Sequence, residues 1–450
     1  MWDVPKKPWV AAHRLPALAP AGGGGLATSM AGLLEGGHLA GWIGFHGEAR
    51  ADRQLVKLTL TENQLAGYRD AWCHRILWPL CHGWFDPSGG DSLDDRARQG
   101  FAAYREANSR IAHTLAALLP QDRAWVQIHD YQLLLVPGML RQLRPDCGIL
   151  FYLHVPVPET GAWRWLPPDI RTALGLGLGA ADLVGVQTPG DKTKMEDLLS
   201  GERTWGTRRR GRVETHPVPI DPEHLLRTAR ELRSRADRAN PWPGGGRRIL
   251  LVGRGDPSKN LPRSIDAIDR LLARRPDLSS GLSILCLAPE SRQESPTYRK
   301  CQAEIRAGMA ALSHRWGQAG LRASLREEDD RDRALMALEG YDILLVAPLA
   351  DGMNLVAKEG ALLNRNAGVI VASTHMGAWQ ALQPDCLEVH PLDTDGMARA
   401  LERALCMSPA ERNLRSERMR CRMLREAPVT WLASQLSSAE RPCSGTRHVA

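Results

Sequence analysis

No stretch of this 450-residue chain approaches the roughly 18 consecutive apolar residues that a membrane-spanning helix needs, and its start, MWDVPKKPWV, lacks the apolar core of a secretory signal. A membrane partner is therefore not expected, and a cytoplasmic location is. Cysteine pairing signals are missing as well. The nine cysteines form no C-x-x-C pair and one is left over in any disulfide scheme, which fits reduced thiols. Lysine is scarce, and the formal net charge of +7 comes almost wholly from arginines interleaved with acids. That pattern suits anionic small molecules better than nucleic acid. There is no G-x-x-x-x-G-K-[ST] phosphate loop, no complete G-x-G-x-x-G fingerprint and no G-x-S-x-G nucleophile elbow.

What remains is the composition of a globular protein, with 43% hydrophobic and 24% charged residues. At about 150 residues per domain, two or three domains are expected. Apolar runs at 123–130, 147–158 and 181–189 read as buried parallel strands, each feeding a helical segment. The rhythm restarts at 247–256, 281–289, 341–348 and 368–373, with a long helix over 296–316 and another beginning near 354. Between the two series lie an amphipathic basic helix after Pro217 and the Pro/Gly-rich stretch 240–248. The expected fold class is α/β: two doubly wound Rossmann-like domains, 1–238 and 239–439, facing a central cleft, with 440–450 a disordered tail and the last helix free to pack back on the first domain.

Four segments stand just beyond predicted strands, where such sheets bind ligands. In GRGDPSKN, Arg254 and Lys259 lie between a strand and a helix opened by Pro262. Two fixed cations beside a helix N-terminus suit a diphosphate, although a pair of solvated surface charges is the plainer reading of this loop alone. In APLADGMNLVAKEGALL, the N–H groups of Gly352, Met353, Asn354 and Leu355 can hold phosphate oxygens, Asp351 can accept from sugar hydroxyls and Glu359 from a ribose; an ordinary turn before a polar helix start is the alternative. IHDYQ and YLHVPVP put Asp130 and His154 at one sheet edge, where a lone histidine is most often a structural, hydrogen-bonded one. Gly24 and Gly25 in AGGGGLATSM allow close backbone approach to a ligand.

Two other clusters carry less. Cys73/His74 and Cys81/His82 are eight residues apart, about 12 Å on a helix, too far for one zinc. The arginine-rich 411–426 reads as a solvated helix face.

Together these segments resemble the trehalose-6-phosphate synthase family, retaining glycosyltransferases of the GT-B fold, over about residues 14–436. DGMNLVAKE is close to a family signature, and HDYQL, FYLHVPVP, GVQT, the Arg254/Lys259 loop and APESR follow in the family's order. The resemblance implies that Arg254 and Lys259 hold the diphosphate of a UDP- or GDP-sugar and that Glu359 meets its ribose, with Arg331 on the nucleotide side. It implies that Asp351 and the amides after it contact the donor sugar, that His154 lies beside the transferred sugar, and that Gly25 belongs to a loop closing over the donor. On the acceptor side, Arg14, Trp78 and Arg292 match the grip on a sugar phosphate, and Trp42 and Asp130 the contacts to the sugar. Cations on the diphosphate imply that neither metal nor cofactor is needed. The expected activity is transfer of glucose to glucose 6-phosphate.

Departures bear on the acceptor. The family loop R-L-D-Y-S/T-K-G here reads RGDPSKN, with Pro257 and Asn260, closer to a pseudoglycosyltransferase branch that joins cyclitols in antibiotic assembly. Arg69, beside Tyr68, stands where the family has a tyrosine on the acceptor phosphate. A cyclitol or aminocyclitol acceptor, and a catalytically idle nucleotide-binding homologue, are the alternative readings. A homo-oligomer is compatible with the sequence.

Overall fold

The computed structural model describes residues 7–16, 25–86, 93–122, 124–200, 211–235 and 240–441. The expected disordered tail from 442 on, the loop before Gly25 and residues 236–239 lie outside them. The described chain forms two compact units. One runs to Pro219 and takes back the segment from Pro428; the other is Ile220–Ala427.

The first unit is built on a parallel sheet of seven strands: β1 (Trp9–Ala11), β2 (Gly41–Gly44), β3 (Leu55–Lys57), β4 (Trp125–His129), β5 (Gly148–Tyr152), β6 (Leu183–Val186) and β7 (Arg212–Thr215), in the order β3-β2-β1-β4-β5-β6-β7. The second carries six: β8 (Arg247–Val252), β9 (Leu282–Leu287), β10 (Arg322–Arg326), β11 (Ile343–Val346), β12 (Val369–Ser373) and β13 (Leu387–Val389), in the order β10-β9-β8-β11-β12-β13. Each order reverses once, between β1 and β4 and between β8 and β11, leaving a crevice beyond the strand ends at each reversal.

Why these residues make such sheets is clear from β8, β9, β11 and β12. Ile249, Leu250, Leu251, Ile284, Leu285, Ile343, Leu344, Leu345, Val369, Ile370 and Val371 are all at most 1% exposed, so both faces of each strand are covered and no polar alternation appears. Helix Leu261–Arg274 covers one face with Leu261, Ile265, Ile268, Leu271 and Leu272. At about 1.5–3 kcal/mol per fully buried large apolar side chain, this layer stabilises the loops standing at its edge.

The boundary differs from the expected 238/239. Helix Pro222–Ser234, opened by Asp221 Oδ1 accepting from His224 N at 3.0 Å, packs on helices Arg331–Gly340 and Leu355–Leu363 of the second unit, burying Leu225, Ala229 and Leu232. Composition misled here: the Pro/Gly stretch after Asn240 is a turn within the second unit, leading into β8, and the chain crosses at 219/220. It crosses back at 427/428, after which helix Pro428–Glu440 packs on β5 and β6. β7, β10 and β13 escape sequence reading for one reason. All three are edge strands; β13 has only three residues, and those of β7 and β10 are mostly half-exposed, so no apolar run marks them.

The expected solvated face at 411–426 holds for Arg418, Arg420 and Arg425, which are exposed, but not for every arginine of the segment. Arg412 is 8% exposed and bonds Asp342 Oδ1 at 2.7 Å and Ala367 O at 3.0 Å, while Arg422 pairs with Asp385 at 2.7 Å. These arginines pin helix Pro409–Met423 to the second sheet's edge. All eight cysteines among the described residues are free, and no described helix is long and apolar enough to cross a membrane.

Candidate active site

Loops after β8 and β11 flank the reversal point of the second sheet, and both carry predicted residues. After β8 the chain runs Arg254-Gly255-Asp256, then a short turn Pro257–Lys259. Gly255 leaves room for Gln302, whose Oε1 would lie 1.6 Å from a Cβ there, so any side chain at 255 would force Gln302 to move. Arg254 extends with its side chain 48% exposed. Lys259 crosses to the β11 loop, where its Nζ lies 2.5 Å from Asp351 Oδ2. The same oxygen accepts from Asn354 Nδ2 at 3.0 Å.

Asn354 heads helix Leu355–Leu363 in a left-handed conformation, φ 70°, which asparagine tolerates better than most residues. Its Oδ1 caps Ala357 N at 3.1 Å. Gly352 and Met353 are buried beneath, and Gly377 approaches so closely that a Cβ would meet Gly352 O at 2.1 Å. Leu355 is the first helical residue, so the positive end of this helix points into the crevice held by Arg254 and Lys259.

On the second turn Glu359, 3% exposed, receives both guanidinium arms of Arg331, at 2.6 and 2.8 Å. The pair is predicted on the nucleotide side, and the structure brings it together. Each carboxylate oxygen keeps a second lone pair, so Arg331 fixes Glu359 without exhausting its capacity to accept from a diol.

Arg292 stands after β9 in a strained left-handed conformation, φ 49°, with its side chain 9% exposed. It bonds Tyr298 Oη and lies 3.5 Å from Asp256 Oδ2; Arg254 Nη2 is 3.9 Å from that same oxygen. Asp256 itself is fully buried and accepts from Ser258 N and Oγ at 2.9 and 2.8 Å. Sequence reading passed over Asp256, because an Asp two residues before a Ser reads as a turn former, which it also is.

In the first unit, β4 and β5 end side by side. His129 Nδ1 lies 2.8 Å from His154 Nε2, and Tyr152 packs on His154 at 4.6 Å between ring centroids. Burial drives the His129 imidazole down to about 3; burial, and secondarily His129, holds His154 well below the usual histidine range. Both rings are neutral at pH 7. His129 Nε2 is buried without a hydrogen-bond partner. An orphaned lone pair costs less than an orphaned N–H, so His129 Nδ1–H donates to His154 and leaves His154 Nδ1–H as a donor. His129 was missed: the histidine sits beside the Asp130 that drew attention.

Asp130 adopts φ 76°, and its Oδ1 accepts from His154 N at 3.1 Å, tying the two strand ends together. Burial pushes its carboxyl up to about 6, against the pull of that backbone hydrogen bond. Helix Pro428–Glu440 completes the cluster: Trp431 lies edge-on to Tyr152 at 4.9 Å, and Gln435 Oε1 accepts from the buried Gln127 at 3.1 Å.

The remaining predicted residues lie on other elements of the first unit. Arg14 is exposed, and its carbonyl accepts from Trp42 Nε1 at 3.0 Å. Trp42 is 1% exposed and stacks at 6.4 Å on His129, so in this conformation it supports the wall of the crevice. Trp78 is 9% exposed and stacks on His82 at 4.0 Å.

Tyr68 and Arg69 lie in a π-helical segment, Ala66–Leu77, a rare geometry that is frequent at functional sites. Tyr68 is fully buried and turned inward, with Oη 3.1 Å from His13 Nδ1; Arg69, with its side chain 33% exposed, is the outward residue, held by Asp70 at 2.6 and 2.9 Å. Burial pushes the Asp70 carboxyl up, but hydrogen bonds from His74 and Arg69 outweigh it and leave that carboxyl well below the usual range. Gly25 opens helix Gly25–Glu35 at the border of the described residues.

Two doubly wound parallel sheets, with a lysine and a helix N-terminus at the reversal point of one of them, are the architecture of transferases of the GT-B class. The model of glycosyltransferase family 20 matches residues 45–441, and the chain belongs to that family of glycosyltransferases. A trehalose-6-phosphate synthase of Cronobacter sakazakii is 32% identical over 423 residues, covering 88% of this chain and 86% of that protein. Among solved structures, an α,α-trehalose-phosphate synthase (UDP-forming) from Burkholderia vietnamiensis superposes with a TM-score of 0.84 at 29% identity, covering 96% of this chain and 99% of its own. One from Burkholderia xenovorans in complex with glucose-6-phosphate gives 0.83 at 26% identity, covering 97% and 100%.

Proposed function

We propose that this protein transfers the glucosyl group of UDP-glucose to glucose 6-phosphate with retention of configuration, giving α,α-trehalose 6-phosphate and UDP. The observation that carries the reading is that Lys259, on the loop that also carries Arg254, meets Asp351 and Asn354 at the amide end of helix Leu355–Leu363, at one sheet reversal. That assembly suits a leaving diphosphate. Its structural relatives, UDP-forming and in one case in complex with glucose-6-phosphate, support uracil as the base and a phosphorylated hexose as the acceptor.

In this reading the sugar C1–O bond to the β-phosphate breaks as the acceptor hydroxyl oxygen bonds to C1 from the same face, and the hydroxyl proton passes to the departing phosphate oxygen. Arg254, Lys259 and the helix amides stabilise the charge that develops there. His154 is too weakly basic to take that proton; its Nδ1–H is placed to donate to a sugar hydroxyl. Asp351 orients Lys259 and accepts from the sugar. Because the cations neutralise the diphosphate, the reading needs no metal.

Incubating purified protein with UDP-glucose or GDP-glucose and a panel of glucose 6-phosphate, glucose and aminocyclitol phosphates, with and without EDTA, tests it. The expected result is α,α-trehalose 6-phosphate from UDP-glucose and glucose 6-phosphate, unaffected by the chelator. Product formed only with a cyclitol acceptor, or a β-linked product, overturns it.

A further inference from the structure

Around β8 and β9 the second unit places two arginines on one acid. Asp256 is fully buried, and its Oδ2 faces Arg254 Nη2 at 3.9 Å, Arg292 Nη1 at 3.5 Å and Tyr298 Oη at 3.4 Å, while Oδ1 is occupied by Ser258. The two guanidiniums differ in freedom. Arg254 has half its side chain in solvent, whereas Arg292 is 9% exposed and lies over the Tyr298 ring at 5.2 Å. A cap for the Pro257–Lys259 turn needs only Oδ1; it does not call for a second oxygen between two arginines.

We propose that Asp256 is a positioning residue that couples the two anion sites of this enzyme, so that a diphosphate on Arg254 and a phosphate on Arg292 oppose each other through their shared carboxylate. This rests on the functional reading above, which gives Arg254 to the donor diphosphate, with Arg292 taken as the grip on the acceptor phosphate that the family resemblance implies. A buried carboxylate must keep a counter-charge. Each anion that draws its arginine away from Asp256 therefore leaves the acid more dependent on the other arginine, and raises the cost of drawing that one away too. By linkage the antagonism is reciprocal. Its use is at the end of the cycle, when two anionic products must leave the same site.

The test reads binding and needs no turnover. UDP affinity of the full chain is measured calorimetrically with and without saturating inorganic phosphate, and phosphate affinity with and without UDP. The expected result for the wild type is a several-fold weakening of each by the other, equal in both directions. Asp256→Asn keeps the cap acceptor and the shape but removes the charge. It should reduce the factor to the small residue left by direct repulsion between the anions, while Ser258→Ala leaves it intact. Should Asp256→Asn fail to fold, Arg292→Gln replaces it: with Asp256 left to Arg254 alone, UDP affinity in the absence of phosphate must fall several-fold, as saturating phosphate lowers it in the wild type, and added phosphate must lower it no further; UDP affinity equal to that of the phosphate-free wild type overturns the proposal. A coupling factor unchanged in Asp256→Asn, or absent from the wild type, overturns the proposal while leaving the transferase reading in place. Failure of the wild type to bind UDP at all overturns both.

Discussion

Lys259 and Asp351, 92 residues apart in sequence, meet across the reversal point of the second sheet with Nζ 2.5 Å from Oδ2. The lysine comes from the loop after β8 and the aspartate from the loop after β11, so the contact exists only because those strands are neighbours in the sheet. It presets the ammonium at the mouth of the crevice before any ligand arrives. Pre-orientation of this kind removes an entropic cost from the bound state.

Charge at the crevice mouth should dominate turnover. Arg254→Ala is expected to lower kcat/KM by about 10- to 100-fold, since a hydrogen bond to a charged group contributes about 1.5–3 kcal/mol. Arg254→Lys should recover part of the loss, having the charge without the fork. Steady-state kinetics with UDP-glucose and glucose 6-phosphate checks this, and an Arg254→Ala enzyme within a few-fold of wild type would remove leaving-group stabilisation as the main resource.

Arg331 and Glu359 should be inseparable. Glu359 is 3% exposed, and truncating one member of a buried bidentate pair leaves the other charged and unpaired. Glu359→Ala is expected to cost about 3–5 kcal/mol in denaturant unfolding, and Glu359→Gln less, because it keeps the acceptor oxygen. Both should weaken UDP binding, measured by calorimetry, and neither should alter inorganic phosphate binding. Equal losses for UDP and phosphate would mean that the pair does not address the nucleotide.

Much of this arrangement is legible in the sequence, for physical reasons that can be named. The buried strands announce themselves because both faces are covered, as at Ile249–Leu251 and Leu344, and the loops after them are where polar residues such as Arg254 and Asp351 stand out. Residues acting from behind give no such signal. Asp256 and His129 look like a turn former and a strand end until the fold sets them against Arg292 and His154. Tyr68 shows the converse: it lies next to a position of interest in the chain, yet the π-helical segment turns it inward and leaves Arg69 facing out. The unit boundary was obscured because the packing of helix Pro222–Ser234 depends on partners more than a hundred residues downstream, which local composition cannot report.

Asp130 should impose a pH dependence on stability. Its folded-state carboxyl is raised to about 6 from an ordinary value of 3.8, so the native state holds its proton more tightly than the unfolded chain. The contribution is fully present below pH 4 and is lost as pH rises through 6, by about 3 kcal/mol over that window at 1.36 kcal/mol per pKa unit. Asp130→Asn removes the titration. The stability of the variant relative to wild type, from denaturant unfolding at pH 4, 5, 6 and 7, is expected to climb across the window and then level off. A constant difference would show that Asp130 titrates as it does in the unfolded chain.

Glu426 should hold the second unit together at the point where the chain enters and leaves it. Its Oε1 accepts from Lys358 Nζ at 2.7 Å and its Oε2 from Ile220 N at 2.8 Å, so one carboxylate joins both ends of Ile220–Ala427 to helix Leu355–Leu363. Lys358 is 1% exposed, and burial lowers the affinity of its amine for a proton even with Glu426 alongside. Glu426→Ala therefore strands a buried amine and an amide N–H together, at an expected cost of about 3–5 kcal/mol. Replacing both partners, Lys358→Met with Glu426→Leu, should return most of that stability, leaving a deficit of about 1–3 kcal/mol for the Ile220 N–H without its acceptor. Denaturant midpoints of the two single variants and the double variant measure the difference. If the double variant were as unstable as the sum of the singles, the lysine and glutamate would not be acting as a pair, and the loss would have to be assigned to packing around helix Leu355–Leu363 instead.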